Sequence, residues 1–296
     1  MKKALVALSV IIALSIPTPS WAGTVLDRIK QTGTINAGTR RDAVPFGYLD
    51  KKGQWVGYSV DILELIRKQA EKQLGKPIKL NLIEATAGDR FNKIKNGTID
   101  VECASTTFTW KRTQEVDFSV SYFADGTKIL TNPKSGLESL ESLAGRKVGV
   151  IPNTTNERAI KLQQPAAQLV AVQDQSDGLA KLEKGEIEAF AGDGIVLEGL
   201  KKGAKNPQSL VVVPTLPYQY ESYACSLPKD DSDWRNLVNY ALVQYMEGIV
   251  SDQTAAVQVF DKWFGEDGVA PYPRDTINEY FQGIINGYEW IPIIDY

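Results

Sequence analysis

The stretch "DVECASTTFTWKR", Asp100 to Arg112, carries an apolar run into Ser105, Thr106, Thr107 and Thr109 and then Arg112. A guanidinium fork matches a carboxylate with two parallel hydrogen bonds, and nearby hydroxyls and backbone N–H groups fill its remaining lone pairs. The chemistry open to this set is therefore capture of an anion of carboxylate shape. A plainer alternative makes Thr109 the cap of a helical turn and pairs Arg112 with Asp117 on the surface. Bond-making starts at a disadvantage, because the chain contains no histidine. The usual general base, the Ser-His-Asp triad and the commonest zinc ligand go with it. The expectation is no metal, no cofactor and no catalytic residue.

Positioning such a site requires strand tips that point one way, and the pattern supplies them. "GTINAGTR" (33–40) alternates as a short strand. "GYSVDILELIRKQAEKQLGKP" (57–77) reads as a helix, with Ser59 as N-cap, Leu63, Ile66, Ala70 and Leu74 at helical spacing, and Gly75 and Pro77 as its stop. "IKLNLIEA" (78–85) is a second strand, a short helix spans about Arg90 to Asn96, and "TIDVECAS" follows. The order β-α-β-α-β is that of an α/β sheet with helices on its faces. The phrase then returns: "GRKVGVIPNTTNERAIKL" opens a second strand and helix, and "KLEKGEIEAFAGDG" closes as "KIKNGTIDVECAST" did. Two similar α/β lobes would present their strand tips to a shared crevice. The segments near Asp125 and Tyr220 are candidates for the crossings between them, and two amphipathic helices from Asp233 to Gly265 return to pack on the first lobe, with Leu237, Val238, Ala241 and Tyr245 facing it.

Composition sets the outer limits. The chain has 296 residues, 43% of them apolar, and a formal charge of -3, which suits a folded two-domain protein and argues against a nucleic-acid surface. "MKKALVALSVIIALSIPTPSWA" has the two lysines, apolar core and small-x-small ending of a secretory leader cleaved near Ala22. Losing Lys2 and Lys3 with it moves the charge by two, from -3 to -5. The apolar run from Ala4 to Ile16 is shorter than the roughly 20 residues a membrane-spanning helix needs.

The ordered set "GTRRDAVPFGY", "GYSVDILELI", "NGTIDVECASTTFTWKRTQEVDFSVSYF", "GRKVGVIPNTTNE", "LEKGEIEAFAGD" and "YACSLPKDDSDW" resembles the periplasmic solute-binding proteins of the polar amino-acid family, receptors of ABC importers. Within that family it is most similar to the glutamate/aspartate-binding members. The resemblance implies a type II periplasmic-binding-protein fold: residues 1–22 as leader, 23–124 with 223–296 as lobe one, and 125–222 as lobe two, each lobe a mostly parallel sheet flanked by helices and joined by two hinge strands. It implies that Thr107 and Arg112 hold an α-carboxylate, with Thr154 and Thr155 closing over it, and that Asp193 and Ser105 meet the α-ammonium. Arg40 and Arg90 match positions that carry arginine for a distal carboxylate, while Arg41 points to the surface. Phe46 and Tyr48 would wall the ligand's methylenes, unless they belong to the core. Gln175 stands where some glutamate/aspartate receptors have histidine, which admits glutamine and asparagine beside glutamate and aspartate. Cys103 and Cys225 would form a disulfide tying the returning strand to lobe one.

The implied protein is a monomeric periplasmic receptor that captures an amino acid by hinge closure and hands it to an inner-membrane ABC permease, without catalysis. A cyclohexadienyl-dehydratase-like enzyme on the same fold is the rival. It would need an acid or base against the leaving group, and Glu84 and Glu102, the acids near the first lobe's strand tips, show no partner in the sequence. A ligand-sensing module is the third reading, but nothing after the leader through Tyr296 reads as a transmembrane or kinase segment.

Overall fold

The computed structural model describes residues 24–287; the expected leader, residues 1–22, lies outside them. From the amino end run α1 (Val25–Thr32), β1 (Thr34–Thr39), the small strands β2 (Asp42–Ala43), β3 (Gly47–Leu49) and β4 (Trp55–Val56), then α2 (Tyr58–Leu74), β5 (Lys79–Glu84), α3 (Arg90–Lys95) and β6 (Val101–Glu102). β7 (Asp117–Thr131) leads to β8 (Lys147–Val150), α4 (Thr155–Gln163), β9 (Gln168–Ala171), α5 (Gln175–Glu183), β10 (Ala189–Asp193), α6 (Gly194–Lys202) and β11 (Val211–Val213). β12 (Gln219–Leu227) returns, and α7 (Ser232–Val250), α8 (Thr254–Phe264) and α9 (Arg274–Gly287) complete the order. No helix among the described residues is long and apolar enough to cross a membrane.

The main sheet runs β5-β1-β6-β12-β7-β10-β8-β9, with β11 on β7. β1 lies parallel to β5 and β6 at one end, and β8 lies parallel to β9 and β10 at the other. Each end has its own core. Tyr58, Ile62, Trp234, Leu242 and Phe264 anchor the large one, and Ile129, Val148, Ala189, Phe190 and Leu197 anchor two smaller clusters at the far end. These ends are the two lobes. β7 passes between them unbroken: its residues from Asp117 to Thr127 pair antiparallel with β12, and those from Thr127 to Thr131 pair with β10. The segments read as crossings near Asp125 and Tyr220 are these two long paired strands.

Local chemistry explains most element ends. Gly75 closes α2 in the left-handed conformation, φ 64°, as its place after Leu74 suggests. Ser59 is not the N-cap of α2, a correction to the sequence reading. The helix begins at Tyr58 after Gly57, whose φ of 138° and nearness to the Phe46 carbonyl, 2.0 Å from where a Cβ would sit, exclude any side chain there. Ser59 is instead buried in the first turn and hydrogen-bonds the Tyr122 hydroxyl at 2.9 Å. Leu237, Val238, Ala241 and Tyr245 of α7 are all buried in the large core. Cys103 and Cys225 form the disulfide, Cα atoms 4.4 Å apart, which links the end of β6 to β12 across 122 residues of sequence.

Candidate functional site

The tips of β1, β6, β8 and β10 face one narrow cleft between the lobes, lined by Arg40, Arg90, Ser105, Thr107 and Arg112 from the first and by Thr154, Thr155, Asn156, Gln175 and Asp193 from the second. The space left there for the centre of a water molecule is about 30 Å³. The lobes touch around it. Asp42 Oδ2 accepts the N–H of Gln175 at 2.9 Å, the Thr107 and Thr155 hydroxyl oxygens are 3.2 Å apart, and the Ser105 hydroxyl faces Asp193.

The three arginines expected to converge do line this cleft, and their surroundings differ. Arg40, just past β1, forms a bidentate pair with Asp42, Nε and Nη2 donating at 3.0 and 3.1 Å. Its charge is therefore largely answered within the first lobe. Arg112 opens a 3-10 turn whose first N–H is accepted by Thr109 Oγ1 at 3.1 Å, and its Nη1 donates to the Thr107 carbonyl at 2.7 Å. Thr109 thus caps a turn, as the plainer alternative had it. Asp117 pairs with Arg235 rather than with Arg112. Arg90, first residue of α3, is 5% exposed, and its Nε has no hydrogen-bond partner. Among the described residues it makes no ion pair. Both guanidinium groups lie over the Phe91 ring, at 4.7 Å for Arg90 and 5.6 Å for Arg112, a cation–π platform that sequence reasoning missed. Burial pulls Arg90 down to about 10; Glu102 opposes the fall, and Arg112 and Arg40 deepen it. Burial also lowers Arg112, opposed by Glu221, Glu102 and Asp193. Arg41 turns outward and meets Glu84 at 3.7 Å, as expected of a surface residue.

On the opposite wall, α4 starts where Thr154 Oγ1 accepts the N–H of Glu157 at 3.2 Å and donates to the Ile151 carbonyl at 2.7 Å. The proton of the Thr154 hydroxyl and one of its lone pairs are thereby spent on the cap. The N–H groups of the first helical turn, at Thr155 and Asn156, have no intrahelical acceptor and carry the positive end of the helix dipole. Asp193, at the tip of β10, is buried and accepts from Asn156 Nδ2 at 3.2 Å. Burial, reinforced by Glu221 and Asp125, pushes its carboxyl up to about 8. Gln175 is 6% exposed, and its Oε1 has no partner.

Two expected residues are not brought to the cleft. Phe46 is fully buried among Tyr58, Phe123, Tyr223 and Phe264. Tyr48 packs edge-on against Trp263, ring centres 6.2 Å apart. Both serve the first-lobe core, because the turn at Pro45 aims this strand pair toward α8. Glu102 also departs from its reading. It is fully buried and accepts hydroxyls from Thr106 and Ser226, so it has partners and stands behind the site. The residue most clearly missed is Glu221 of β12, 3% exposed, which accepts hydroxyl protons from Thr107 and from Thr155, the latter at 2.6 Å. A single acid in a crossing segment gave no sequence signal; only its alternation with the exposed Tyr220 hints that it points inward.

This arrangement, cations on one wall and a protonatable acid and a helix amino end on the other, suits a small zwitterion with an additional acidic group. The chain is similar to several known proteins. A glutamate/aspartate import solute-binding protein of Escherichia coli is 34% identical over 266 residues, 88% of this chain and 85% of that protein. An L-glutamate/L-aspartate-binding protein of Pseudomonas aeruginosa is 32% identical over 265 residues, 86% of this chain and 83% of that protein. Among solved structures, an ancestral amino acid-binding protein, a precursor of cyclohexadienyl dehydratase, has 26% identity and a TM-score of 0.70, covering 81% of this chain and 99% of that one. The family match itself spans residues 35–266. The chain belongs to the bacterial extracellular solute-binding proteins, family 3.

Proposed function

We propose that the protein is the monomeric periplasmic receptor of an ABC importer for acidic amino acids, glutamate and aspartate first, which it captures by hinge closure without catalysis and delivers to an inner-membrane permease. The lobes divide at 23–124 with 223–296 and at 125–222, and β7 and β12 are the hinge. Arg112 and the first-turn N–H groups of α4 hold the α-carboxylate. Asp193 and Ser105 take the α-ammonium, and Arg90, assisted by Arg40, takes the distal carboxylate. Gln175 reaches the same distal group, and its amide donates to a carboxylate or accepts from a carboxamide. Glutamine and asparagine are accordingly weaker ligands. The observation that carries this reading is Arg90, a buried guanidinium whose Nε is unpartnered in a cleft shared with two more arginines. An unpaired buried charge is costly, and a distal carboxylate answers it.

Asp193 is also what an enzyme would need as a general acid, since its carboxyl is pushed up to about 8. A dehydratase requires a second group against the leaving group. The cleft's other polar residues are arginines, hydroxyls and amides, and Asp42 is tied to Arg40. The two relatives named above are binding proteins by name, which supports the receptor reading.

Thermal denaturation against each of the twenty amino acids, at about pH 6 and about pH 8.5, tests the proposal. Glutamate and aspartate raise the midpoint most, glutamine and asparagine less, and the others not at all. The pH dependence has a definite sign. Pairing with an ammonium needs the Asp193 carboxylate, so below about 8 binding expels a proton, and affinity falls by up to about tenfold per pH unit. In the ligand-free protein the same group acts oppositely. Its raised value means the folded state keeps a proton that the unfolded chain has released, so its contribution to stability declines as pH rises toward about 8. The ligand-induced shift therefore grows at the higher pH. No shift with either acidic amino acid would refute the proposal.

A further inference from the structure

Helix α6 of the second lobe packs on both cores. Leu197 and Leu200 belong to its own lobe, whereas Ile195 and Val196 are buried in the large first-lobe core that includes Ala43 and Phe46. The helix starts at the hinge, where Asp125 of β7 accepts the Ile195 N–H, and it stays against the first lobe along its length. One turn on, Gly199 is buried beside the turn that leaves β2: a Cβ there would sit 2.6 Å from the Val44 carbonyl oxygen and 2.9 Å from Val44 Cγ1. At the helix end Lys202 Nζ donates to the Gly268 carbonyl of the first lobe at 3.4 Å. The β2 turn is also held by α5, whose first N–H, at Gln175, donates to Asp42 at 2.9 Å. A glycine inside a helix weakens it relative to alanine. At position 199 that weakness is what lets the two backbones touch, and neither Gly199 nor Val44 lines the ligand cleft.

We propose that the contact of the 42–44 turn with α5 and α6 is a clasp between the lobes that scales affinity for every ligand alike, with Gly199 as its positioning residue. The inference rests on the hinge closure proposed above and deepens it. Ile195 lies beside the hinge and moves little when the lobes part, but Gly199 is about 6 Å farther along the helix axis, so opening draws it away from Val44. The clasp is made only in the closed form and touches no ligand atom. Its free energy therefore sets the fraction of receptor that closes, and an apparent dissociation constant is the intrinsic one divided by that fraction. Selectivity, which comes from groups in the cleft, is left untouched.

Gly199→Ala gives the test, read by calorimetric titration with glutamate, aspartate and glutamine, by stopped-flow fluorescence and by thermal denaturation without ligand. The added methyl meets a backbone carbonyl that has no free rotation to yield, so the closed form is overpacked. All three ligands lose affinity by the same factor, about tenfold or more, and their ratios stay within about threefold of the wild type. The loss appears as faster dissociation, because opening is eased, while association changes by less than about threefold. In the open form the methyl points into the space the lobes have left, so the ligand-free midpoint is unchanged or raised. Unchanged affinities, losses that differ among the ligands by more than about threefold, or a variant that melts lower or fails to fold would each overturn the clasp while leaving the receptor reading intact. The last of these would mark the contact as a permanent part of the fold. A wild-type protein that binds none of the three defeats the receptor reading and the clasp with it.

Discussion

Arg112→Ala yields a folded protein that binds none of its amino acids. The guanidinium keeps one donor on the Thr107 carbonyl, which leaves the rest of its fork for the carboxylate that every amino acid shares, the partner proposed for it above. Two charge-assisted hydrogen bonds at about 1.5–3 kcal/mol each amount to at least about 100-fold in affinity. The substitution removes one internal hydrogen bond and a cation–π contact from a half-buried side chain, a loss the fold absorbs. Arg112→Lys keeps the charge without the planar fork and restores only part of the binding. Titration with glutamate, aspartate and glutamine checks this, and retention of glutamate binding within about threefold in the alanine variant contradicts it.

Arg90→Met makes the ligand-free protein more stable and a poorer glutamate receptor. With its Nε unpartnered and its guanidinium pulled down to about 10 by burial, Arg90 holds charge in a place that penalises it. A methionine of similar reach removes that penalty, and unfolding in denaturant should show a gain of about 1–3 kcal/mol. Glutamate affinity falls about 100-fold, because the distal carboxylate loses its main counter-charge, whereas glutamine, which presents a neutral amide there, loses about tenfold or less. Equal losses for the two ligands would remove Arg90 from the acid-selective role. A loss of stability would show that Phe91 and the acids around the cleft already compensate the charge.

The cleft was readable in sequence to the extent that topology places strand tips. Arg40 and Arg112 follow the parallel strands β1 and β6, and Asp193 ends β10, which is parallel to β8; the two parallel sets run toward each other, since β6–β12, β12–β7 and β7–β10 are each antiparallel, so both present their carboxyl tips to the cleft and residues 153 positions apart meet. The repeat of strand, helix and acidic-small closing carried the second lobe in the same way. What escaped is set by long-range pairing. Phe46 and Tyr48 alternate as any strand pair does, and whether that face meets a ligand or α8 depends on a turn whose direction the pattern does not encode. Thr154 and Thr155 read alike, yet one is fixed by the capping geometry of α4 and the other by Glu221. Glu221 itself became visible only when β12 paired with β7 along most of its length and brought one carboxylate to hydroxyls of both lobes.

A crystal structure of the protein grown with L-glutamate tests the central claim most directly. The account predicts the α-carboxylate on Arg112 and the amino end of α4, the ammonium on Asp193, and the distal carboxylate within hydrogen-bond distance of Arg90. A ligand bound with its distal carboxylate away from Arg90, or with Arg112 facing solvent, would contradict it.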